Sequence, residues 1–370
     1  MNEPLERAPH EVKRYQRQKL TAKVASAVAT FAWLVMLAFV IGPRVGPELR
    51  EIAGEHNRIL QVILMGMLVG ISLEAVTLPI DFWSGYLVEH QHGLSTQTLS
   101  AWMVRRLKGY LVGSVIGLML LGGLYWVLWV AGDWWWLLAT AGWLALTLVL
   151  GRLLPIVILP LFYKVTPLDD RRLLDRLRRL CEGTGLTVEG IYRLHLSNET
   201  RKANAALAGL GRTRRVLLGD TLLDSFTPEE IEVVFAHEVG HHVHRHLIKG
   251  IVLGVVLATA GFKIVDVVLR GAAESLGYLG LTDPAALPLV LLILATFGLL
   301  LSPMQNAISR AFEVQCDRYA LAKTGFKESF RTAFAKLARM NKSDPDPNPI
   351  VVWLFYDHPP IRARLALAEE

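Results

Sequence analysis

Three residues, His237, Glu238 and His241, stand in the run His237-Glu238-Val239-Gly240-His241, and that spacing has a specific chemical use. Residues four apart on a helix share a face one turn above each other, so two imidazoles can grip one Zn²⁺. The glutamate between them lies about 100° round the helix, close enough to hold a water on that metal. Zinc lowers the pKa of such a water toward ~7, and the carboxylate takes its proton as it attacks a carbonyl. A catalytic zinc also needs a third protein ligand and an open position. Glu313 and Asp317 share a face of an apparent helix after the last apolar stretch. Glu313 can supply that ligand, and Asp317 can hydrogen-bond a ligating histidine. The same spacing fits a solvated acidic face with Arg310 and Arg318 as ion-pair partners, and spacing alone leaves both readings open.

The elements that must position these residues are signposted unevenly. Thr227-Pro228-Glu229-Glu230 is a capping box with proline at the first helical position, so a helix starting there carries the histidines. Upstream, Asp169–Cys181 reads as an amphipathic helix, followed by strand-like runs Gly190–Leu196, Ala203–Leu207 and Arg215–Leu218. Thr96–Lys108 reads as an interfacial helix with Leu99, Met103 and Leu107 at helical spacing.

Of the 370 residues 52% are hydrophobic and 19% charged, which is too apolar for an ordinary soluble protein. Six stretches can cross a bilayer: Thr21–Ile41, Leu60–Ile80, Tyr110–Ala131, Trp134–Pro155, Ile251–Leu269 and the short Leu287–Leu301. The first ends in Gly42-Pro43-Arg44 rather than at a small-x-small cleavage site, so it is expected to be a retained anchor. With the N-terminus inside, the inner segments carry 33 Lys plus Arg and the outer loops 4. Both termini and both large polar segments are therefore expected in the cytoplasm. The net charge of +6 reads as topology and contact with anionic membrane lipids, not nucleic-acid binding. Cys181 and Cys316 offer no disulfide framework and are expected as free thiols.

Four segments follow: 1–162 with four spans, 163–250 with the histidine helix, 251–303 with two spans, and 304–370 completing the site. The chain resembles the CAAX prenyl protease 1 family of integral-membrane zinc metalloproteases, related to the HtpX membrane proteases. The resemblance rests on ordered blocks: Leu78-Pro79 with Glu89, Gly93 and Gln97-Thr98-Leu99; Leu159 through Leu168; Ala203-Asn204-Ala205 through Gly209; Asp220-Thr221-Leu222-Leu223; the His-Glu helix; Glu313 with Asp317; and His358-Pro359-Pro360 with Arg364.

That resemblance implies one zinc held by His237, His241 and Glu313, with Glu238 as general base. It gives Asp317 a supporting or proton-donating role. It puts Asn204 and Ala205 on an edge strand that aligns the substrate as an added strand. It has His358 and Arg364 reach over the site to stabilise an oxyanion. The implied fold is a mostly α, polytopic membrane protein whose six or so helices enclose a chamber, with a cytoplasmic zincin-like α+β catalytic domain. The implied substrate is a peptide or protein, with a prenylated C-terminus in the family's own chemistry. The chain departs from the family in two ways: relatives usually have seven spans, and usually carry an aromatic where Ala206 stands. An HtpX-like quality-control protease is the near alternative, and a catalytically inactive membrane scaffold the alternative from another class.

Other residues attract attention without joining the site. His242, His244 and His246 read as interfacial histidines near a helix C-terminus rather than a second metal site. Cys316 reads as a small buried thiol, and Trp134-Trp135-Trp136 as an aromatic belt. Lys263, Asp266 and Glu74 lie within spans, where each costs about 2.5–3.5 kcal/mol unless it faces protein or water. The implied chamber would house them; a neutralising Lys263–Asp266 pair is the alternative.

Overall fold

The computed structural model describes residues 9–186 and 190–370. Among them, six helices are long and apolar enough to cross a membrane. The first is α1 (His10–Met36), continued by a π-turn into a helix over Gly42–Ala53. The second to fourth are α2 (Arg58–Phe82), α3 (Leu99–Val130) and α4 (Trp135–Leu153). Asn57 and Thr98 cap α2 and α3 by accepting from Leu60 N and Ala101 N, which satisfies orphan amides at each start. The expected interfacial helix over Thr96–Lys108 does not stand apart. Nothing in Leu99–Lys108 breaks helical geometry, so it is the N-terminal part of α3.

The polar segment forms β1 (Val165–Pro167), α5 (Arg171–Cys181), β2 (Gly190–Leu194), β3 (Ala205–Ala208), β4 (Arg215–Gly219) and α6 (Pro228–Val243). The sheet order is β1-β2-β4-β3, with β2 and β4 parallel and the outer pairs antiparallel. This leaves β3 at an edge. The capping box opens α6 as expected, with Thr227 Oγ1 accepting from Glu230 N and Glu230 accepting from Thr227 N. Apolar residues cover α6 on every side, so it is a core helix rather than a surface one. Phe235, Val233 and Ala236 are fully buried with Leu177 of α5 and Val216 and Leu218 of β4. Removing a side chain such as Phe235 would forfeit about 3–5 kcal/mol.

Arg245, in the left-handed region at φ 57°, ends this helix. Its amide returns to His242 O, and the chain turns directly into the fifth span, α7 (His246–Ala272). The sixth, α8 (Leu287–Thr324), was legible only as a short apolar run to Leu301. It continues unbroken for 38 residues and carries Glu313 and Asp317 into the site. Helices α9 (Lys327–Met340), α10 (Pro349–Phe355) and α11 (Ile361–Ala366) close the site from the far side.

A second core lies among the spans, around Leu37, Met65, Tyr125, Trp135, Leu269 and Leu287. Val115, Met119 and Leu300 are exposed, as lipid-facing positions should be. Lys263, Asp266 and Glu74, the charges singled out within spans, are engaged. Asp266 is buried and accepts from Lys263 Nζ at 2.8 Å, Arg270 Nε at 2.7 Å and Trp135 Nε1 at 2.8 Å. Glu74 accepts from Arg106 Nε at 2.7 Å, and both line a cavity of about 930 Å³ between the spans. The pair thus accounts for two of these groups, Lys263 and Asp266, and the cavity houses the third, Glu74.

Candidate active site

Two helices build the centre. Gly240 of α6 lies against α8 so closely that a Cβ there would stand 3.1 Å from Cys316 Cα. That contact brings the imidazoles of α6 onto the carboxylates of α8. His237 Nε2 lies 3.2 Å from Glu313 Oε2, and His241 Nε2 lies 3.3 Å from Glu313 Oε1. The two rings are 5.2 Å apart, edge to face. Glu313 is buried, and its Oε2 accepts no aligned hydrogen bond although His237 and His358 nitrogens both face it. A buried carboxylate oxygen and two inward imidazole nitrogens are a donor set that a divalent cation satisfies.

The outer nitrogens are fixed from behind. His237 Nδ1 donates to Asp317 Oδ1 at 2.9 Å, which leaves the Nε2 lone pair facing inward. Burial alone would lower the pKa of His237, but its bonds to Asp317 and Glu313 outweigh burial and hold it up at about 9. The two carboxylates thus favour positive charge here, which a divalent cation would supply in place of a ring proton. His241 Nδ1 lies 3.1 Å from His246 Nδ1, and His246 Nε2 lies 3.0 Å from Gln315 Oε1. Because the Gln315 oxygen can only accept, His246 donates from Nε2 and accepts at Nδ1. His241 must then donate from Nδ1, and its Nε2 is bare toward the centre.

His246 is a correction to the sequence reading. It is buried and stacked on Phe312 at 4.0 Å, not interfacial, because the sharp turn at Arg245 folds it back under His241. No sequence spacing announces a residue beyond a helix break. Cys316 is a fully buried thiol, as expected. Its sulfur comes within 4.8 Å of ligand atoms of His237 and His241, yet it packs on the Gly240 backbone. Glu313, whose two oxygens lie 3.2 and 3.3 Å from the two Nε2 atoms, is better placed than Cys316 to complete a ligand set.

Arg364 departs from the role that the resemblance implies. Its Nε donates to Asp317 Oδ2 at 2.8 Å and a second nitrogen to Oδ1 at 2.6 Å. Its guanidinium lies over Phe334 at 3.9 Å, and the side chain is buried. This two-pronged pairing favours support of Asp317 over contact with an oxyanion. His358 is exposed to the cavity, with Nε2 3.4 Å from Glu313 Oε2. Its Nδ1 donates to Asp357 at 2.9 Å. That bond outweighs desolvation and, with the Glu313 charge, holds its pKa above the ordinary value. Arg310 is no surface ion-pair partner. It donates to Val352 O and Tyr356 O, tying the His358 loop to α8. Arg318 does pair at the surface, with Glu370.

Glu238 accepts from Leu207 N of β3 at 3.2 Å and stands between two cavities. One, of about 380 Å³, includes Asn204, Ala205, Glu238, His358 and Arg364. The other, of about 710 Å³, is largely apolar and includes Trp143, Leu207, Leu257 and Phe312 beside Glu238 and His241. Asn204 and Ala205 thus lie at the edge that passes Glu238.

Comparison with known proteins supports a multi-pass membrane architecture, although the family model for the N-terminal part names five membrane helices where the described residues form four. Residues 6–164 match the family model described as CAAX prenyl protease N-terminal, five membrane helices. Residues 167–370 match peptidase family M48. An uncharacterised metalloprotease, YhfN, of Bacillus subtilis is 30% identical over 318 residues, 85% of this chain and 74% of that one. A CAAX prenyl protease 1 homolog of Arabidopsis thaliana is 27% identical over 361 residues, covering 94% and 81%. The crystal structure of S. mikatae Ste24p superposes with a TM-score of 0.84 at 23% identity, covering 98% of this chain and 89% of that one.

Proposed function

The chain belongs to peptidase family M48, and from that premise we propose that this multi-pass membrane metalloendopeptidase holds one zinc on His237, His241 and Glu313 and cleaves proteins near their C-termini, as a CAAX prenyl protease does. The observation that carries the site is the convergence of both Nε2 atoms on the two Glu313 oxygens, with Glu238 between them and the outer edge of β3. When bound, the metal supplies Lewis acidity that polarises the scissile carbonyl and makes a water acidic enough to attack it.

The chain's own groups do the rest. Glu238 accepts the proton that the attacking water loses and delivers it to the departing amine nitrogen. The substrate lies along β3 beside Asn204 and Ala205 as an added strand, so backbone bonds fix the scissile carbonyl over Glu238. His358, exposed to the same cavity and favouring its protonated form, donates to the oxyanion. Asp317 and Arg364 act on His237 and not on substrate.

The apolar cavity beside Glu238 and the named activity of the plant relative support a prenylated substrate, presented from the lipid phase. The imbalance of 33 inner against 4 outer basic residues supports an active site and both termini in the cytoplasm. On this reading segments 163–250 and 304–370 are the two halves of the site. Segment 1–162 is the membrane scaffold, and 251–303 carries the spans that join them.

The test is Glu238→Gln. It removes the proton acceptor and leaves the ligands alone, so the purified protein should keep about one zinc per chain and lose peptide cleavage. Substantial turnover by metal-loaded Glu238→Gln would sink the assignment. Parallel peptides with and without a prenylated cysteine test the substrate class, and equal cleavage of both would remove the lipid requirement.

A further inference from the structure

The edge of β3 is not free along its length. In an antiparallel pair, residues alternate between bonding the partner strand and facing away from it. Asn204 faces β4, since its carbonyl accepts from Gly219 N at 2.9 Å. Ala203, Ala205 and Leu207 therefore face outward. Leu207 N–H donates to Glu238. Ala203 is occupied on both of its groups: its N–H donates to Asn341 Oδ1 at 3.0 Å, and its C=O accepts from Asn341 Nδ2 at 3.1 Å. One side-chain amide thus reproduces the two bonds of a paired strand residue. Ala205 lies between these occupied positions, and its outward groups have no partner among the described residues.

We propose that Asn341 is a positioning residue for proteolysis, a stop that closes the edge at Ala203 and so fixes the register in which substrate pairs at Ala205. The proposal rests on the reading of β3 as the substrate-binding edge. Side chains on a strand repeat every two residues, so a slip of two keeps every side chain on its face and is the error that an open edge permits. Ala203 is two residues from Ala205, about 6.6 Å along the strand, and is where such a slip would land. Asn341 occupies it.

The stop is itself held. Asn341 ends α9, where Lys342 takes the left-handed conformation at φ 48°. Gln16 Nε2 of α1 donates to Lys342 O at 2.5 Å. On the other flank Lys202 Nζ donates to Tyr15 of α1 at 2.8 Å and pairs with Glu89 at 2.8 Å. Both sides of the Asn341–Ala203 contact are therefore fastened to the first span.

The test compares full-length wild type, Asn341→Ala, Asn341→Asp and Glu238→Gln in detergent. The probe is a peptide with permissive residues on both sides of the cut, with products mapped by mass spectrometry. Asn341→Ala frees both Ala203 groups to pair with substrate, so KM should change severalfold and kcat at the original cut should fall as slipped substrate competes for the site. It should also add a second cut displaced by two residues. Asn341→Asp keeps the acceptor and loses the donor, and should fall between. Metal content and melting temperature should stay near wild type. A single cut and unchanged KM in Asn341→Ala overturns the proposal, as does loss of metal with early melting in both Asn341 variants. If Asn341→Ala alone misfolds, an Asn341→Asp that cuts at one place with wild-type KM overturns it equally. Cleavage by Glu238→Gln would instead overturn the peptidase site, whatever Asn341 does.

Discussion

Arg364→Ala separates support from catalysis, and its magnitude can be worked from the burial around it. Asp317 has no exposed surface. Its oxygens face two guanidinium nitrogens and His237 Nδ1, all within 3.0 Å. Truncating Arg364 leaves that carboxylate with one donor in a site water does not reach. Removing one partner of a buried ion pair costs about 3–5 kcal/mol. Part of the loss reaches the metal, because Asp317 orients His237, and removing such outer partners typically weakens metal binding about 10–100-fold. The expected result is a clearly lower melting temperature and lower zinc content, with turnover falling in proportion to lost metal. Arg364→Lys restores the charge without the fork and should be intermediate. His358→Ala is the contrast. That side chain is exposed, so metal and melting should hold while kcat drops about 10²–10³-fold, the usual loss of an oxyanion donor. The assay is metal analysis, thermal melting and both kinetic constants on the same preparations. An Arg364→Ala protein that keeps metal and stability yet loses kcat as His358→Ala does would refute the supporting role.

Gly240→Ala places a methyl 3.1 Å from Cys316 Cα and 3.3 Å from its sulfur. Neither helix backbone yields easily, so zinc affinity and melting temperature should both fall, and wild-type metal binding would refute the account of the helix contact. Asp220 is buried, which pushes its carboxyl pKa up, but bonds from Ser197, Leu196 and Thr221 outweigh burial and hold it below the ordinary value. Its contribution is therefore present above an unfolded pKa of about 3.9 and lost as pH falls toward the depressed folded value. Asp220→Asn should melt lower at neutral pH by a margin that shrinks below about pH 4; a margin independent of pH would refute this. Tags at either terminus should both report the cytoplasm, and an N-terminal tag reached only from outside would overturn the orientation.

Local signals and helical periodicity were enough to read much of this protein. The two histidines and glutamate needed only four-residue spacing. The start of α6 needed only its capping box, since both act within one or two helical turns. Six membrane crossings followed from apolar length, because a bilayer demands it. Sequence did not settle which of its two readings applied to Glu313, and the choice of carboxylate over solvated face depended on Gly240 letting α6 lie against α8. It could not follow His246 around the turn at Arg245, because a left-handed residue redirects the chain without leaving a periodic mark. Nor could it say where the Arg364 guanidinium points, how far α8 runs past Leu301, or that Asn341 closes the edge at Ala203. These depend on contacts between residues far apart in the chain, such as the 138 positions between Ala203 and Asn341. Such contacts are fixed by packing and burial, which no local pattern of residue types encodes.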